Sequence, residues 1–371
     1  MPPFLILQGL DKSFGSQAVL RGLSLEVNAG EVLALLGPSG SGKTTALRLI
    51  AGFETPDRGK ILVGGEDVTA LPPEKRHFGM VFQHYALFPH LNVRENVAFG
   101  LAGRKLGPAM TTRKVADALA LVELPGYETR RVGEISGGQQ QRIALARALA
   151  PEPRVLLLDE PLSNLDPTLR ERTRRELLRA VRRVGITTVL VTHEQEEAFH
   201  LGNRVAVLHG GVLHQVAAPE ELYERPATRF VAGFVGRASG LPGVLMADGG
   251  VKINGVDGVV WTGEPASDVG SVPGTAVELV VRPESLAFTD ADRNALAGRV
   301  VERRYAGSST FYAVDLALGR EVEVLAPASA AAEGDTVRVA PAPGGLPARI
   351  FRASPEVLQL EDNPAGSPHV P

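Results

Sequence analysis

Residues 37–44 have the composition and spacing of a phosphate-binding loop. The segment is Gly37-Pro38-Ser39-Gly40-Ser41-Gly42-Lys43-Thr44, which fits the pattern G-x-x-x-x-G-K-[ST]. The glycines allow successive backbone N–H groups to face inward at a helix N-terminus, which creates a nest for an anion. Lys43 would add a positive charge between the β- and γ-phosphates of a nucleotide, and the Thr44 hydroxyl would bind Mg²⁺.

The elements on either side of the loop favour this interpretation over a glycine- and serine-rich surface turn. An apolar run over 32–36 precedes the loop, and a helical pattern over 45–50 follows it, as the motif requires. We therefore assign residues 37–45, with Thr45 as the last of them, to phosphate binding.

A second group of candidate catalytic residues lies at the end of another apolar run. Residues 155–158 are Val-Leu-Leu-Leu, and Asp159 and Glu160 follow directly. A buried strand here would end at the sheet edge that also holds the loop. Asp159 would then hold Mg²⁺ through water, and Glu160 would polarise an attacking water as a general base. Two carboxylates at a strand end are usually surface charge, but their combination with the loop favours the functional interpretation.

The overall composition argues against several other classes of protein. Of the 371 residues 44% are hydrophobic, and the net charge is −3, unlike the strongly basic surface of a nucleic-acid-binding protein. The absence of cysteine excludes disulfides and thiolate metal sites. No segment approaches the roughly 20 apolar residues of a membrane-spanning helix, and the N-terminus lacks a secretory pattern. Any membrane role is therefore expected to be peripheral and to depend on a partner.

The hydrophobic pattern divides the chain into two domains. Up to residue 235, apolar runs alternate with helical patterns, which predicts an α/β fold. From 236 to 360, short alternating segments between glycine-rich turns predict a small all-β domain, built as a barrel. The last residues, 361–371, are polar and proline-rich, which predicts a disordered tail. The clearest strand candidates are 32–36, 155–158, 188–191 and 205–208 in the first domain and 277–281 and 311–316 in the second.

The segment from residue 134 to 149 resembles the signature motif of ATP-binding cassette (ABC) proteins. It begins Glu134-Ile135-Ser136-Gly137-Gly138-Gln139-Gln140-Gln141-Arg142 and continues with a helical pattern. The family usually has leucine where Ile135 stands, a mild departure away from the phosphate contacts. Ser136 and the amides of Gly137 and Gly138 would form a second anion site at a helix N-terminus. In the family this motif, to which Gln139 also belongs, closes over the γ-phosphate held by the other subunit.

The remaining family motifs follow in order and extend the resemblance over residues 4–235. Phe14 matches the aromatic residue that stacks on adenine. Gln83, which we count among the catalytic residues, matches the loop glutamine that senses Mg²⁺ and the partner subunit. Residues 163–166, which end at Asp166, resemble the loop that crosses the dimer interface next to the nucleotide. His193 matches the switch histidine that contacts the γ-phosphate. A lone phenylalanine or histidine is more often structural, so these assignments depend on the whole series. The implied cofactors are ATP and Mg²⁺.

The resemblance also implies an architecture and a reaction cycle. The expected fold is a P-loop NTPase cassette, in which a RecA-like α/β core carries a helical subdomain at about 88–150 and an antiparallel β subdomain. A small all-β OB-like barrel would follow. Each subunit would supply half of each ATP site, so that two ATP molecules hold a head-to-tail homodimer and hydrolysis releases it. The alternative is a monomeric ATPase, but its signature motif would have no phosphate to contact.

Among ABC proteins, the chain resembles the importer group. Residues 225–243 and 281–284 resemble the cassette exit and the OB-like barrel of that group. The implied partners are two transmembrane permease subunits and, indirectly, a solute-binding protein, without nucleic acid; the ATPase would be peripheral on the cytoplasmic face of the membrane. The sequence at 71–90 and 182–188 favours ferric iron or polyamine as the solute over sulfate, molybdate or sugar. A soluble ABC ATPase without a permease is the competing class.

The residues after Gln83 resemble the surface that receives the coupling helix of a permease. Tyr85, Leu87, Phe88 and Pro89 would form an apolar groove, as helix docking usually requires. The alternative for some of them is packing inside the helical subdomain. The sequence therefore predicts a docking groove next to the glutamine loop.

Overall fold

The computed structural model describes residues 3–270, 272–291 and 293–353. The chain divides into two compact units, Met1–Pro219 and Glu220–Pro371, ahead of the predicted boundary after residue 235. Within the second unit, the Arg282 guanidinium donates hydrogen bonds to the carbonyls of Ala232 and Val235, which ties the helix before that boundary to the β strands. The domain boundary itself stays a prediction. The predicted tail, 361–371, lies outside the described residues.

The first unit alternates strands and helices. Its strands are β1 (Pro3–Phe14), β2 (Gln17–Asn28), β3 (Val32–Leu36), β4 (Arg58–Val63), β5 (Glu66–Asp67), β6 (Phe78–Val81), β7 (Val155–Asp159), β8 (Thr187–Thr192), β9 (Arg204–His209) and β10 (Val212–Ala217). Its helices are α1 (Lys43–Ala51), α2 (Pro73–Arg76), α3 (Val93–Phe99), α4 (Pro108–Leu121), α5 (Gly137–Leu149), α6 (Pro167–Val184) and α7 (Gln195–Leu201), with 3₁₀ turns at Ala102–Arg104 and Val132–Glu134.

The larger sheet of this unit confirms the predicted α/β fold. Its strand order is β10-β9-β3-β8-β7-β6, and all neighbours are parallel except the β9–β10 hairpin. Every residue of β3 is buried, which explains its unbroken apolar sequence because a parallel sheet is covered on both faces. The parallel strands β3, β7 and β8 end at one edge of the sheet. The residues that follow them are therefore brought close together.

A smaller antiparallel sheet packs on the same core. Its order is β2-β1-β4-β5, and its alternating buried residues share one apolar cluster with α1 and the parallel sheet, for example Leu5, Leu47 and Leu157. Helices α3, α4 and α5 occupy the segment predicted to be a helical subdomain. Asn92 begins α3 with a capping box, since its side chain accepts from the Glu95 N–H at 2.8 Å and offsets an unpaired helix donor.

Two short helices begin the second unit, and the rest of its described part consists of β-strands, as predicted for residues 236–360. The helices are α8 (Pro219–Glu224) and α9 (Arg229–Phe234), and a 3₁₀ turn lies at Pro283–Ser285. The strands are β11 (Ser239–Leu245), β12 (Val251–Ile253), β13 (Val260–Trp261), β14 (Gly263–Pro265), β15 (Ala276–Val281), β16 (Leu286–Phe288), β17 (Leu296–Tyr305), β18 (Thr310–Leu316), β19 (Arg320–Ala326), β20 (Thr336–Pro341) and β21 (Ala348–Arg352).

These strands form two sheets around one core. The orders are β13-β12-β11-β15-β21-β14 and β16-β20-β17-β18-β19, and Leu241, Trp261, Tyr312 and Phe351 from both sheets belong to one buried cluster. The alternation of buried and exposed residues in β18 and β19 is the pattern that predicted strands here. Across the described parts of both units, no helix combines the length and apolar character needed to cross a membrane.

Candidate active site

The phosphate-binding loop joins β3 to α1 with a backbone that requires glycine at two positions. A Cβ at Gly37 would lie 2.1 Å from the carbonyl oxygen of Leu208. Gly42 has a φ of 100°, a left-handed conformation that other residues rarely adopt. Gly42 is also the N-cap of α1 and provides no side-chain hydrogen bond there. The first N–H groups of α1 therefore lack a side-chain partner, as an anion site at a helix N-terminus requires.

Lys43 lies inside this loop and fits a triphosphate. It is only 5% exposed, and its Nζ donates to the carbonyls of Gly37 at 2.8 Å and Pro38 at 2.9 Å. Desolvation lowers the pKa of Lys43, and the nearby charges of Glu160 and Asp159 raise it. A buried ammonium bound to neutral carbonyls is incompletely compensated. A phosphate in the loop would supply the negative charge.

Asp159 and its surroundings fit the predicted Mg²⁺ by donor chemistry. The residue ends β7 in a half-buried position. Desolvation raises the pKa of Asp159 and the adjacent Glu160 raises it further, while Arg48 and Lys43 lower it. A divalent cation would relieve the repulsion between two neighbouring carboxylates. Oxygen donors are the ligands that Mg²⁺ prefers, and Asp159, Thr44 and Gln83 all provide them.

The backbone of Glu160 has a strained conformation. Its φ is 43°, in the left-handed region that costs a residue with a side chain about 1–3 kcal/mol. Its N–H donates to the Val191 carbonyl at 2.9 Å, and its own carbonyl accepts from the Ser163 hydroxyl at 2.9 Å. Strain of this kind is concentrated at active sites, where the surrounding structure maintains it. A backbone fixed in this way is expected where the direction of a side chain matters, here that of the Glu160 carboxylate.

The Glu160 carboxylate brings the two other predicted catalytic residues together. Nε2 of Gln83 donates to its Oε2 at 3.2 Å, and Nδ1 of His193 lies 3.2 Å from its Oε1. Because Gln83 uses its amide nitrogen here, the amide oxygen is the end suited to a metal ion. The Nε2 atom of His193 lies on the opposite side of the ring, and this side chain is 47% exposed. Glu160, the candidate base, thus lies between Gln83, a candidate metal ligand, and His193, a candidate hydrogen-bond donor to a phosphate.

The signature segment forms the N-terminus of α5. Its Ser136 Oγ accepts from the Gln139 N–H at 3.4 Å, while Oε1 of Gln139 accepts from the Ser136 N–H at 2.9 Å. Nε2 of Gln139 donates to the Tyr127 hydroxyl at 3.1 Å, so this carboxamide is engaged within the subunit. Gly138 is buried, and a Cβ there would lie 2.7 Å from Oγ1 of Thr173. Gly138 is therefore needed for close packing on α6. Ser136 is exposed, and its contact with a phosphate stays a prediction.

Asp166 begins α6 as its N-cap. Its Oδ1 accepts from the Leu169 N–H at 3.0 Å, and the residue is exposed. An N-cap carboxylate satisfies an unpaired helix donor, so Asp166 stabilises the first turn of α6. The contact of Asp166 with nucleotide across a dimer interface stays a prediction.

Phe14 ends β1 with its ring on the surface. It is 48% exposed, and the Lys12 ammonium lies 5.2 Å from the ring centroid. A large exposed aromatic ring beside a cation is unusual for a core residue and suitable for stacking on a base. The alternative of a core phenylalanine is excluded by this exposure.

We expect Phe14→Ala to weaken ATP binding by about 5- to 150-fold, because base–aromatic stacking contributes on the order of 1–3 kcal/mol per base. The melting temperature should stay unchanged, since the ring is exposed. Titration with a fluorescent ATP analogue measures the affinity. Phe53→Ala is the matched control, since Phe53 is 53% exposed and is not predicted to contact nucleotide. Equal affinities for both variants would contradict the stacking role.

An apolar groove lies beside the segment after Gln83, but its lining differs from the set of residues that the sequence predicted. Its volume is about 330 Å³, and its lining residues are Phe78, Gly79, Met80, Phe82, Ala86, Phe88, Phe99, Gly100, Arg147, Ala148 and Pro151. Of the predicted residues only Phe88 contributes, with its ring centroid 4.5 Å from that of Phe99. Phe82 and Phe99, which are 36% and 56% exposed, were missed, although Phe82 directly precedes Gln83 in the sequence; Phe99, at the end of α3, gave no signal of its own.

Tyr85 does not line the groove, so the alternative of internal packing applies to this residue. The residue is buried, and desolvation raises the pKa of its phenol to about 12. Tyr85 and Ala86 both have positive φ values, 61° and 49°. Arg147 stabilises this turn by donating to both carbonyls, at 2.7 Å and 2.6 Å. The turn directs the Tyr85 side chain inward, which sequence periodicity does not reveal.

Two protein-family profiles match this chain. The ABC transporter family profile matches residues 20–163, which span the loop, the signature segment and Glu160, and the TOBE domain profile matches 279–346. The spermidine/putrescine import ATP-binding protein PotA of Acetivibrio thermocellus is 46% identical over 301 residues, which cover 81% of this chain and 84% of the relative. The chain belongs to the ABC transporter ATP-binding proteins. As a member of that family, this ABC protein is an ATPase.

Other relatives of this ABC protein have similar identities. PotA of Acidothermus cellulolyticus is 44% identical over 355 residues, 92% of this chain and 90% of the relative. The Fe(3+) ions import ATP-binding protein FbpC of Rhizobium etli is 45% identical over 322 residues, 86% and 89%. Among solved structures, cbiO1 from Clostridium perfringens, part of the ABC transporter complex cbiONQ, superposes with a TM-score of 0.56 and 28% identity, covering 60% of this chain and 91% of that one. Its cassette fold supports the fold described above.

Proposed function

We propose that this ABC protein is the ATP-hydrolysing subunit of an importer for a small solute or ion, with a polyamine or ferric iron as the solute. The observation that carries the proposal is the Glu160 carboxylate, bonded to Gln83 and 3.2 Å from His193, at the sheet edge that holds the phosphate loop. The import ATP-binding proteins among the relatives support the importer class.

The geometry supports a hydrolysis mechanism. The loop amides and Lys43 bind the β- and γ-phosphates, and Phe14 stacks on the adenine. Glu160 accepts a proton from water as the water oxygen attacks the γ-phosphorus. The bond to the oxygen that bridges the β- and γ-phosphates breaks, and ADP and inorganic phosphate leave. His193 stabilises the charge that develops on the γ-phosphate oxygens. Thr44, Asp159 and Gln83 would hold Mg²⁺, which would supply positive charge beside the phosphates.

We further propose that two copies close head to tail around two ATP molecules. Ser136 is exposed at the N-terminus of α5, a helix of 13 residues with Gly137 and Gly138 in its first turn. Such a terminus attracts an anion, and a γ-phosphate bound to the partner's loop would meet this need. ATP then favours the closed dimer and its hydrolysis favours the open one, which is a two-state switch driven by differential affinity.

The partners proposed are two transmembrane permease subunits and, through them, a solute-binding protein, with this subunit peripheral on the cytoplasmic face of the membrane. The groove around Phe88 and Phe99 supports the permease contact, because an apolar groove with aromatic walls suits an amphipathic helix.

We expect Phe99→Asp to abolish copurification with the coexpressed permease while ATP binding is retained. Met110→Asp, which changes another exposed apolar residue in the helical segment (46% exposed), is the control. Retained copurification of the Phe99 variant would contradict this docking surface.

A transport assay can identify the solute. The PotA relatives and the FbpC relative are 44–46% identical to the chain, so overall identity favours neither solute. We expect a strain without this gene to lose uptake of one of the two candidate solutes, either the labelled polyamines putrescine and spermidine or ferric iron. A plasmid-borne copy of the gene should restore that uptake. A Glu160→Gln copy should not restore it. Normal uptake of both solutes in the deletion strain would exclude both candidates and leave sulfate, molybdate or sugar.

A further inference from the structure

Two separate loops meet at Glu160, and both are bonded to a third segment of the same subunit. This segment, residues 163–170, contains the loop after Glu160 and the first residues of α6. Its Asn164 side chain donates a short hydrogen bond to the backbone carbonyl of Gln83 and lies 3.1 Å from Nδ1 of His84. The contact therefore fixes the backbone of the residue whose carboxamide binds Glu160.

The same segment is bonded to the loop that carries His193. Nη1 of Arg170 forms a short ion pair with Glu194, the next residue after His193, and Nη2 donates to the Leu165 carbonyl at 3.0 Å. The Arg170 and Glu194 side chains are only 23% and 26% exposed, which strengthens their attraction relative to a surface pair. Glu194 is itself fixed, because its N–H donates to Oγ1 of Thr192 at 3.0 Å.

Segment 163–170 is thus bonded to Glu160, to Gln83 and to Glu194, the residue after His193. Ser163 binds the Glu160 carbonyl at 2.9 Å, Asn164 binds the backbone of Gln83, and Arg170 binds the neighbour of His193. A displacement of the segment would move the two partners of the Glu160 carboxylate together. Misplacement of a catalytic group by about 1 Å can cost on the order of 100-fold in rate.

We propose that Asn164 and Arg170 are positioning residues, which set Gln83 and His193 against the Glu160 carboxylate from within the same subunit. The proposal rests on the proposed ATPase function. Neither residue touches the phosphate loop in the contacts described above, so both act on the rate of hydrolysis and not on the binding of ATP. Asn164 is exposed, so the contact that positions Gln83 lies at the surface of the subunit.

The test uses conservative substitutions of each side chain. Asn164→Asp removes the donor to the Gln83 carbonyl, and Arg170→Lys keeps the charge but cannot bridge Glu194 and Leu165 through a planar fork. We expect each to lower kcat for ATP by about 10- to 100-fold, with ATP affinity within 2-fold of wild type. Arg172→Lys is the matched control, since Arg172 pairs with Glu176 at 3.0 Å on the same helix and is 74% exposed; we expect its kcat within 2-fold of wild type.

Melting temperature and the affinity for a fluorescent ATP analogue separate positioning from folding. A fall in kcat with unchanged affinity and melting temperature supports the proposal. It is overturned if both variants keep kcat within 2-fold of wild type, or if affinity and melting temperature fall together with kcat. Absence of hydrolysis by the wild-type chain with its permease would overturn the proposed function instead, so the two failures are distinguishable.

Discussion

Glu160→Gln should lower the steady-state rate of ATP hydrolysis by about 100- to 10,000-fold, which is the range that a general base contributes. Glutamine keeps the size of the side chain and can still contact Gln83 and His193, but it cannot accept the proton of the attacking water. ATP should therefore bind and remain intact. In the presence of Mg²⁺ and ATP, the variant should accumulate as a dimer, because the step that opens the dimer is blocked.

Phosphate release and sedimentation velocity measure these two effects on the same preparation. Glu152→Gln is the control, because Glu152 is an exposed carboxylate that pairs with Lys114 at 2.7 Å and belongs to no part of the site. Its hydrolysis should equal that of the wild type. A Glu160→Gln protein that hydrolyses ATP at the wild-type rate would show that another group is the base, and an inactive variant without an ATP-dependent dimer would count against the head-to-tail cycle.

Lys43→Met should weaken ATP binding on the order of 100-fold or more, because removal of one partner of a buried, hydrogen-bonded charge pair costs about 2–5 kcal/mol. Methionine keeps an unbranched chain of similar length but provides no charge and no donor. The folded protein should not become less stable, because the ammonium is desolvated in the loop and the substitution removes a buried charge. Calorimetric titration with Mg·ATP measures the affinity.

The control for this change is Lys60→Met. Lys60 is 64% exposed and its Nζ lies 3.8 Å from Asp67, so its loss should leave ATP binding unaltered. If Lys43→Met bound ATP as well as the control, the loop would hold phosphate through its amides alone. A lower melting temperature for Lys43→Met would show that the lysine has a structural role in holding the loop carbonyls.

The chemistry-bearing motifs were predictable because they are local in sequence. The loop 37–45 needs only glycines, a lysine and a hydroxyl in fixed order between a strand and a helix, and the Asp159–Glu160 pair follows an apolar strand directly. The buried strands β3, β7, β8 and β9 were predictable for the same reason, since both faces of a parallel sheet are covered and their sequences are apolar throughout. The sheets of the second unit followed from alternation with a period of two.

What the tertiary structure decided is the set of contacts between segments far apart in the chain. Glu160 meets Gln83 and His193 only because β6, β7 and β8 are adjacent and parallel, so that their ends share one edge. The inward position of Tyr85 depends on a left-handed turn held by Arg147, and the links from Asn164 to Gln83 and from Arg170 to Glu194 join separate loops. Sequence alone determined which groups can bind phosphate and activate water. Only the packing of the sheet decided which of them touch, because hydrogen bonds between distant residues have no period or spacing in the sequence.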